Sequence, residues 1–352
     1  MTTADTTASA TRDLAAYGPG LGSAPRYAFF CPMPYAMNPH IEAARTHTLD
    51  FYRRLGVLTD KGAEAASGYR IEVWSACVHP DCDEDSLKLM HDWDMWGTLT
   101  DDYMEARDVS LVKPMIEGCL AILAPDTAEG ARPGAHPLEI ALADIWRTTR
   151  ERGMSPRWNQ RLADRLSRWI ETYLRDADIR AKDRLPSLER YIDNRLWSGA
   201  SPAYIHLTTL AYDCEMSEAL LASPTVNAML HSCSTFAHLA NDVYGLERDA
   251  SWGDDINAVP IIERDFGCTR EEAIRRTIEL ADNYMRHYLS LEKSLPSVLP
   301  QASTEDREKL DTFVTCFRHY MRGALDFYEG TGRYDERPEA GDYHKVGWLA
   351  AD

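Results

Sequence analysis

Residues 85–105 read DSLKLMHDWDMWGTLTDDYME, an apolar and aromatic run that ends in a cluster of acids. Its large apolar residues recur at every third position, and they are Leu87, Met90, Trp93, Trp96 and Leu99. This spacing is typical of an α-helix with a broad apolar face. We therefore expect a helix over this stretch, with several carboxylates at its C-terminal end.

Working outward from this stretch, the same helical spacing recurs along most of the chain. The predicted helices are His40–Leu55, Asp85–Glu105, Pro137–Gly153, Pro156–Lys182, Leu188–Trp197, Pro202–Cys214, Thr225–Arg248, Thr269–Leu295 and Ser303–Glu329. Segments rich in Gly, Pro, Asn and Ser separate these helices, and Thr269 and Ser303 carry helix-capping signals. No stretch shows the period of two expected for a strand. The sequence thus predicts an all-α, single-domain helical bundle of roughly 300 residues.

The chain ends are predicted to lie outside this bundle. Residues 1–24 are rich in Thr, Ala, Ser and Gly and lack an apolar core, so they indicate a flexible leader and not a signal peptide. We expect the helical domain to span residues 25–336 and a C-terminal tail to span residues 337–352.

Composition narrows the function classes. The chain has 352 residues and a formal charge of −18, from 38 Lys and Arg against 56 Asp and Glu. A surface this acidic repels phosphate backbones and anionic headgroups, which argues against nucleic-acid and membrane partners. No run of apolar residues is long enough to span a bilayer. The eight cysteines are scattered singly, so we expect no disulfide framework and a cytoplasmic location.

The acidic cluster at the end of the quoted stretch comprises Asp101, Asp102 and Glu105, which lie within one turn of each other. Carboxylates at a helix C-terminus repel each other and the helix dipole, and divalent cations would compensate them. Hard oxygen ligands on one helical face suit Mg²⁺ that is shared with substrate phosphates. The alternative is a solvated acidic helix end without a metal.

A second polar stripe lies in the helix predicted over Thr225–Arg248. Asn241, Gly245 and Asp249 fall at intervals of four, and Arg248 lies beside them. This stripe is suited to a second metal and to contact with a phosphate group. The alternative is a helix C-terminus at which Gly245 is the cap and the charges face water.

Two further features concern anion binding. After Arg195 the predicted helix is interrupted at Ser198 and Gly199, which would free backbone carbonyls beside the guanidinium. Arg333 and Tyr334 supply a bidentate donor and a single donor near the C-terminus. An acidic protein binds a diphosphate only when cations intervene, so metals and arginines would act together. Metals would assist loss of diphosphate from an allylic carbon, and aromatic faces would stabilise the carbocation.

The order and spacing of these motifs resemble those of bacterial class I terpene synthases, over about Cys31 to Tyr334. The resemblance implies a helical bundle with a central cavity and three Mg²⁺. Asp101, Asp102 and Glu105 would hold two ions, and Asn241 with Asp249 the third, with Gly245 at the remaining ligand position. The expected diphosphate-binding residues are Arg195, Arg248, Arg333 and Tyr334. Gly199 would offer its carbonyl to the reacting end of the substrate. The expected pocket aromatics are Trp93, Trp96, Trp197 and Phe327.

The chain departs from the family pattern at three positions. Gly245 stands where Ser or Thr is usual, Asp249 replaces Glu, and Phe327 replaces a common Trp.

The expected activity is Mg²⁺-dependent cyclisation of a linear isoprenyl diphosphate, with farnesyl diphosphate favoured over geranylgeranyl diphosphate. Gly97 and Thr98 leave room that hints at the longer C20 chain. A weakened or non-catalytic terpenoid-binding protein and a helical interaction protein are the alternatives. The product skeleton and a homodimer are left open.

Overall fold

The computed structural model describes residues 25–105, 109–125, 130–181, 185–253, 255–299, 302–334 and 349. Within these residues the chain forms fourteen α-helices followed by a short 3₁₀ turn, Gly332–Tyr334. The helices are α1 Ile41–Arg54, α2 Asp60–Tyr69, α3 Ile71–Val78, α4 Glu84–Glu105, α5 Val109–Leu123, α6 Pro137–Glu151, α7 Pro156–Ala181, α8 Leu188–Ser198, α9 Ser201–Ala211, α10 Glu218–Leu221, α11 Pro224–Trp252, α12 Ala258–Phe266, α13 Arg270–Val298 and α14 Thr304–Gly330. The all-α fold class is confirmed.

The predicted helices are all present, and their ends shift by a few residues, as at α11, which continues to Trp252. The predicted capping signals also form, because Thr269 Oγ1 accepts from the Glu272 amide and Ser303 Oγ accepts from the Asp306 amide. Sequence periodicity missed α2, α3, α5, α10 and α12. Helix α3 is buried almost all round and lacks a polar face, and α5 contains Pro114.

The helices that carry the predicted motifs meet in the centre of the bundle. Helix α4 packs against α1, α3, α6 and α9, and α11 packs against α8, α13 and α14. Helix α14 closes the ring by packing against α3, and the 3₁₀ turn rests on α2 and α11. The acidic end of α4, the polar stripe of α11 and the Arg333–Tyr334 turn are thereby brought to one place.

Other predictions concern the chain ends, the cysteines and the membrane. The predicted leader, residues 1–24, lies outside the described residues, and of the predicted tail only Leu349 is described. Leu349 is buried and forms an antiparallel bridge with Leu58. Each of the eight cysteines is a free thiol in the structure. None of the described helices has the length and apolar character needed to cross a bilayer.

Candidate active site

The carboxylates at the end of α4 are held by arginines from distant parts of the chain. Arg333 Nη2 lies 3.0 Å from Asp101 Oδ2 and 2.6 Å from Asp102 Oδ1. Arg248 Nη2 donates to the same Asp102 oxygen at 2.5 Å. Asp102 is only 6% exposed, so its carboxylate lies in the interior and not in solvent, whereas the Asp101 side chain is 27% exposed. Glu105 is the last residue of α4, and its side chain lies outside what the structure describes.

Electrostatics at this cluster follow from the pairing of opposite charges. Burial by itself lowers the pKa of Arg333, but the surrounding groups, chiefly Asp102, Tyr334 and Asp101, together outweigh burial and raise that pKa well above its usual value. Tyr173 of α7 donates its hydroxyl to Asp101 Oδ1 at 2.6 Å. Sequence reasoning missed Tyr173, because it lies 72 residues from Asp101 and carries no motif of its own.

The second predicted motif is joined to the predicted anion-binding residues. Arg195 Nη2 donates to Asn241 Oδ1 at 2.7 Å, and Asn241 Nδ2 donates to the Tyr334 hydroxyl at 2.6 Å. Arg195 also lies 3.4 Å from Asp242. The structure thus links α8, α11 and the C-terminal turn through one continuous set of polar contacts.

Gly245 and Asp249 occupy the same stripe of α11, farther along the helix. The helix does not end at Gly245, as the alternative prediction held; it ends after Trp252, where Gly253 takes the left-handed conformation with φ 74°. A side-chain Cβ at position 245 would lie 3.5 Å from the Tyr334 ring and 3.6 Å from Asp249 Oδ2, which are ordinary contact distances. Asp249 Oδ2 accepts from Asn257 Nδ2 at 3.0 Å, and Asn257 is another residue that sequence reasoning missed.

The predicted helix break forms between α8 and α9. Ser198 is the last residue of α8, Ala200 takes the left-handed conformation with φ 59°, and α9 restarts at Ser201. The Gly199 carbonyl lies 3.3 Å from His238 Nε2. A Cβ at Gly199 would lie 2.2 Å from the same nitrogen, so only glycine fits beside this imidazole. Burial lowers the pKa of His238 to about 3 and keeps the ring neutral.

These motifs surround a central cavity, but three of the four predicted pocket aromatics point elsewhere. Phe327 lines the cavity as predicted. Trp93 and Trp96 are fully buried toward α6, where their indole N–H groups donate to Thr149 Oγ1 and the Leu138 carbonyl. Trp197 instead stacks against the guanidinium of Arg168, 3.5 Å away. The face of α4 that carries Trp93 and Trp96 packs on α6, and it is a different face that lines the cavity.

Residues outside the predicted motifs form most of the aromatic lining. These residues are Trp74, Trp169, Tyr204, Tyr320 and Tyr328. Trp74 lies in α3, and its ring makes edge contacts with Tyr320 at 5.3 Å and Phe327 at 5.7 Å. Because α3 is buried on almost every side, no periodicity in the sequence distinguishes its cavity face from its core face.

Comparison with known proteins agrees with this geometry. The family described as terpene synthase family 2, C-terminal metal binding, matches residues 92–287, more than half of the chain. This chain belongs to the bacterial class I terpene synthase family. It is an enzyme of the lyase class, and its matched segment includes Asp101, Arg195 and Asn241.

Individual relatives align with most of the length of this terpene synthase. Pristinol synthase of Streptomyces pristinaespiralis is 30% identical over 87% of this chain and 84% of its own length. The (−)-β-caryophyllene synthase of Saccharothrix espanaensis is named as (2E,6E)-farnesyl diphosphate cyclizing. It is 26% identical over 88% of this chain and 90% of its own length. A solved cucumene synthase variant superposes with a TM-score of 0.78, 22% identity and coverage of 87% of this chain and all of that one, which supports the fold.

Proposed function

We propose that this terpene synthase ionises farnesyl diphosphate with the help of Mg²⁺ and cyclises the resulting carbocation. The observation that carries the proposal is the convergence of Arg195, Arg248, Arg333 and Tyr334 on the carboxylates and amide of the two predicted metal motifs. Three arginine side chains and the carboxylates of Asp101, Asp102 and Asp249 lie beside an aromatic cavity. The charged groups are suited to bind a magnesium diphosphate, and the cavity is suited to hold the apolar chain attached to it.

The residues present fit Mg²⁺ by the chemistry of their donors. Asp101, Asp102, Asn241 and Asp249 offer only oxygen ligands, which Mg²⁺ prefers. Among the described side chains, no three Asp, Glu, His or Cys groups yet converge on one metal position, since arginines now pair with Asp101 and Asp102. We propose three ions, two held by Asp101, Asp102 and Glu105 and one by Asn241 with Asp249. Bound Mg²⁺ supplies charge neutralisation for the departing diphosphate.

The chain's own residues would orient and retain the diphosphate. Arg248 and Arg333 contact carboxylate oxygens through Nη2, and a guanidinium group also forms strong hydrogen bonds with phosphate oxygens. Arg195 and Tyr334 donate from the other side, through groups that already contact Asn241. The Gly199 carbonyl dipole would face the carbon from which the diphosphate departs.

The cavity walls would protect and stabilise the carbocation. Trp74, Tyr320 and Phe327 present aromatic rings, whose faces attract cations. Tyr320 and Phe327 are buried, which excludes bulk water from this wall.

Farnesyl diphosphate is favoured over geranylgeranyl diphosphate for a structural reason. A Cβ at Gly97 would overlap the Tyr204 hydroxyl, which donates to the Trp93 carbonyl at 2.9 Å. Tyr204 therefore fills the space that Gly97 leaves, and the hint of room for a C20 chain loses its basis. The caryophyllene synthase relative, which is named as cyclising (2E,6E)-farnesyl diphosphate, also supports the C15 chain.

A product assay tests the proposal. Purified protein is mixed with the C10, C15 and C20 diphosphates, with Mg²⁺ or with a chelator, and diphosphate and organic products are measured. We expect a cyclic product from the C15 substrate that is lost with chelator, and no turnover by Asn241→Ala. If diphosphate is released from none of the three substrates, the proposal is contradicted and the non-catalytic terpenoid-binding alternative is favoured. That alternative is motivated by Gly245, which lacks the side-chain oxygen that the usual Ser or Thr would offer to a metal.

Two coarser proposals accompany this one. The eight free thiols suit a reducing compartment, so we propose a cytoplasmic location. We also propose that residues 25–336 form the catalytic domain, since both the metal motifs and the Arg333–Tyr334 turn lie within it, and that Leu349 of the tail packs on it.

A further inference from the structure

A buried acid that belongs to neither metal motif lines the cavity. Asp94 of α4 is 5% exposed and borders the cavity together with Gly97, Thr98 and Asp101. It precedes Asp101 by seven residues, which is two helical turns or about 11 Å along the axis. Asp94 therefore lies on the same face of α4 as the first metal motif but away from the diphosphate end.

The Asp94 carboxylate is oriented by neutral donors. Ser75 Oγ donates to Asp94 Oδ2 at 2.6 Å, and the nearby Trp74 side chain, like Ser75, lowers the pKa of this carboxyl against the effect of burial. Ser75 Oγ also lies 3.0 Å from His91 Nδ1. Burial lowers the pKa of His91 to about 3, so the neutral ring can donate from Nδ1 and leave the serine proton for Asp94.

No arginine or lysine in the described part of the chain forms an ion pair with Asp94, in contrast to Asp101 and Asp102. An isolated buried acid costs stability unless a positive charge faces it at some stage. The carbocation formed in this cavity is such a charge. A purely structural role would be served equally well by a neutral amide.

We propose that Asp94 is the catalytic base that accepts the final proton from the carbocation, an inference that rests on the proposed cyclase function. The C–H bond next to the cationic carbon breaks, and its electron pair forms the C=C bond of the product. The proton passes to the Asp94 carboxylate and is lost to solvent water when the product leaves. The cation is thereby converted into a neutral olefin and one released proton.

His238, another titratable group of the cavity wall, is a weaker base. Burial raises the pKa of Asp94 to about 7, whereas burial lowers that of His238 to about 3. His238 is also committed to Ser201 Oγ at 2.8 Å and to the Gly199 carbonyl. Asp94 is thus the stronger acceptor, and it lies farther from the helix break.

Replacement of Asp94 by asparagine tests this role, because the amide retains an acceptor for Ser75 but is not basic. We expect Asp94→Asn to alter the product distribution far more than the rate of diphosphate release, since Asp101 and Arg195 are unchanged. The share of the main olefin should fall by about tenfold or more, the loss expected when a positioned proton acceptor is removed. Other olefin isomers or alcohols should replace it in the gas chromatogram.

Asp92→Asn is a matched control. Asp92 is equally buried on the same helix, but its partners are His47 and Thr48 of α1, away from the cavity. This variant should leave the product spectrum unchanged. Ser75→Ala, which removes the donor that orients Asp94, should shift the products in the same direction as Asp94→Asn but less.

The outcomes separate this inference from the proposed function. Wild-type product ratios in Asp94→Asn, or an equal shift in Asp92→Asn, would overturn the role of Asp94 and leave the cyclase intact. A wild-type protein that releases no diphosphate would overturn the proposed function and this inference with it. Circular dichroism of each variant excludes unfolding, and Ser75→Ala provides the same test if Asp94→Asn does not fold.

Discussion

Arg333 and Asp102 are in direct contact, with Nη2 2.6 Å from Oδ1, although 231 residues separate them in the chain. Arg248 shares the same oxygen, so one carboxylate holds two guanidinium groups. The 3₁₀ turn that carries Arg333 is thereby tied to the end of α4 before any substrate is bound. Binding of a diphosphate would exchange these carboxylate contacts for phosphate contacts, and the same residues serve both states.

The contacts of Arg333 with both acids lead to a first prediction. Arg333→Lys keeps the charge but loses the planar guanidinium that can bind a phosphate through two parallel N–H groups, so we expect kcat/KM to fall by about tenfold, and by about 100-fold in Arg333→Ala. Steady-state kinetics with farnesyl diphosphate measure this. Arg275→Lys, on the exposed face of α13, is the control and should stay near the wild-type value. Equal kinetics for Arg333→Lys and wild type would exclude a bidentate role.

The space beside Gly245 leads to a second prediction. A serine fits there without overlap and would add a hydroxyl beside Asp249. We expect Gly245→Ser to lower the Mg²⁺ concentration for half-maximal activity by about fivefold, which corresponds to about 1 kcal/mol of binding free energy. Asp249→Ala should change the same quantity in the opposite direction. An unchanged Mg²⁺ requirement in both variants would place the third ion elsewhere.

The contact between Gly199 and His238 leads to a third prediction. Gly199→Ala would put a methyl group within 2.2 Å of the imidazole nitrogen and displace the ring from the helix break. Misplacement by about 1 Å near reacting groups costs about 100-fold in rate, so kcat should fall by that order. The double variant Gly199→Ala with His238→Ala removes the overlap and should recover part of the loss. No recovery would show that the glycine acts through the backbone alone.

The fold could be predicted from sequence because helix periodicity and capping are local properties. Helices such as α13 and α14 show an apolar face and a start signal at or next to their first residues. Helix α3 could not be recognised in this way, since nearly every residue in it is buried. Trp74 and Ser75 were missed with it. Periodicity therefore found the scaffold but not the buried helix that completes the cavity.

In the active site, too, the sequence identifies the residues of local motifs but not which helix face lines the cavity. Motif order identified Asp101, Asn241, Arg195 and Arg333, and the structure brings these four together. Trp93 and Trp96 were assigned to the pocket because aromatic residues precede the acids, but sequence spacing alone does not say which neighbour each face of α4 meets. Asp94, seven residues before Asp101, carried a usable signal: it shares a helical face with the metal motif.

The buried carboxyl of Asp94 leads to a fourth prediction, on stability. Burial raises its pKa from 3.8 to about 7, so between these pH values the folded protein holds a proton that the unfolded chain has lost. The free energy of unfolding therefore falls as pH rises through this window, by up to about 4 kcal/mol. Asp94→Asn removes this penalty and keeps an acceptor for Ser75. We expect the variant to gain stability over wild type at pH 8 and to differ little at pH 4, as measured by urea unfolding. A variant less stable than wild type at pH 8 would mean that the carboxylate is stabilised in the fold, and the argument that Asp94 is retained for catalysis would fail.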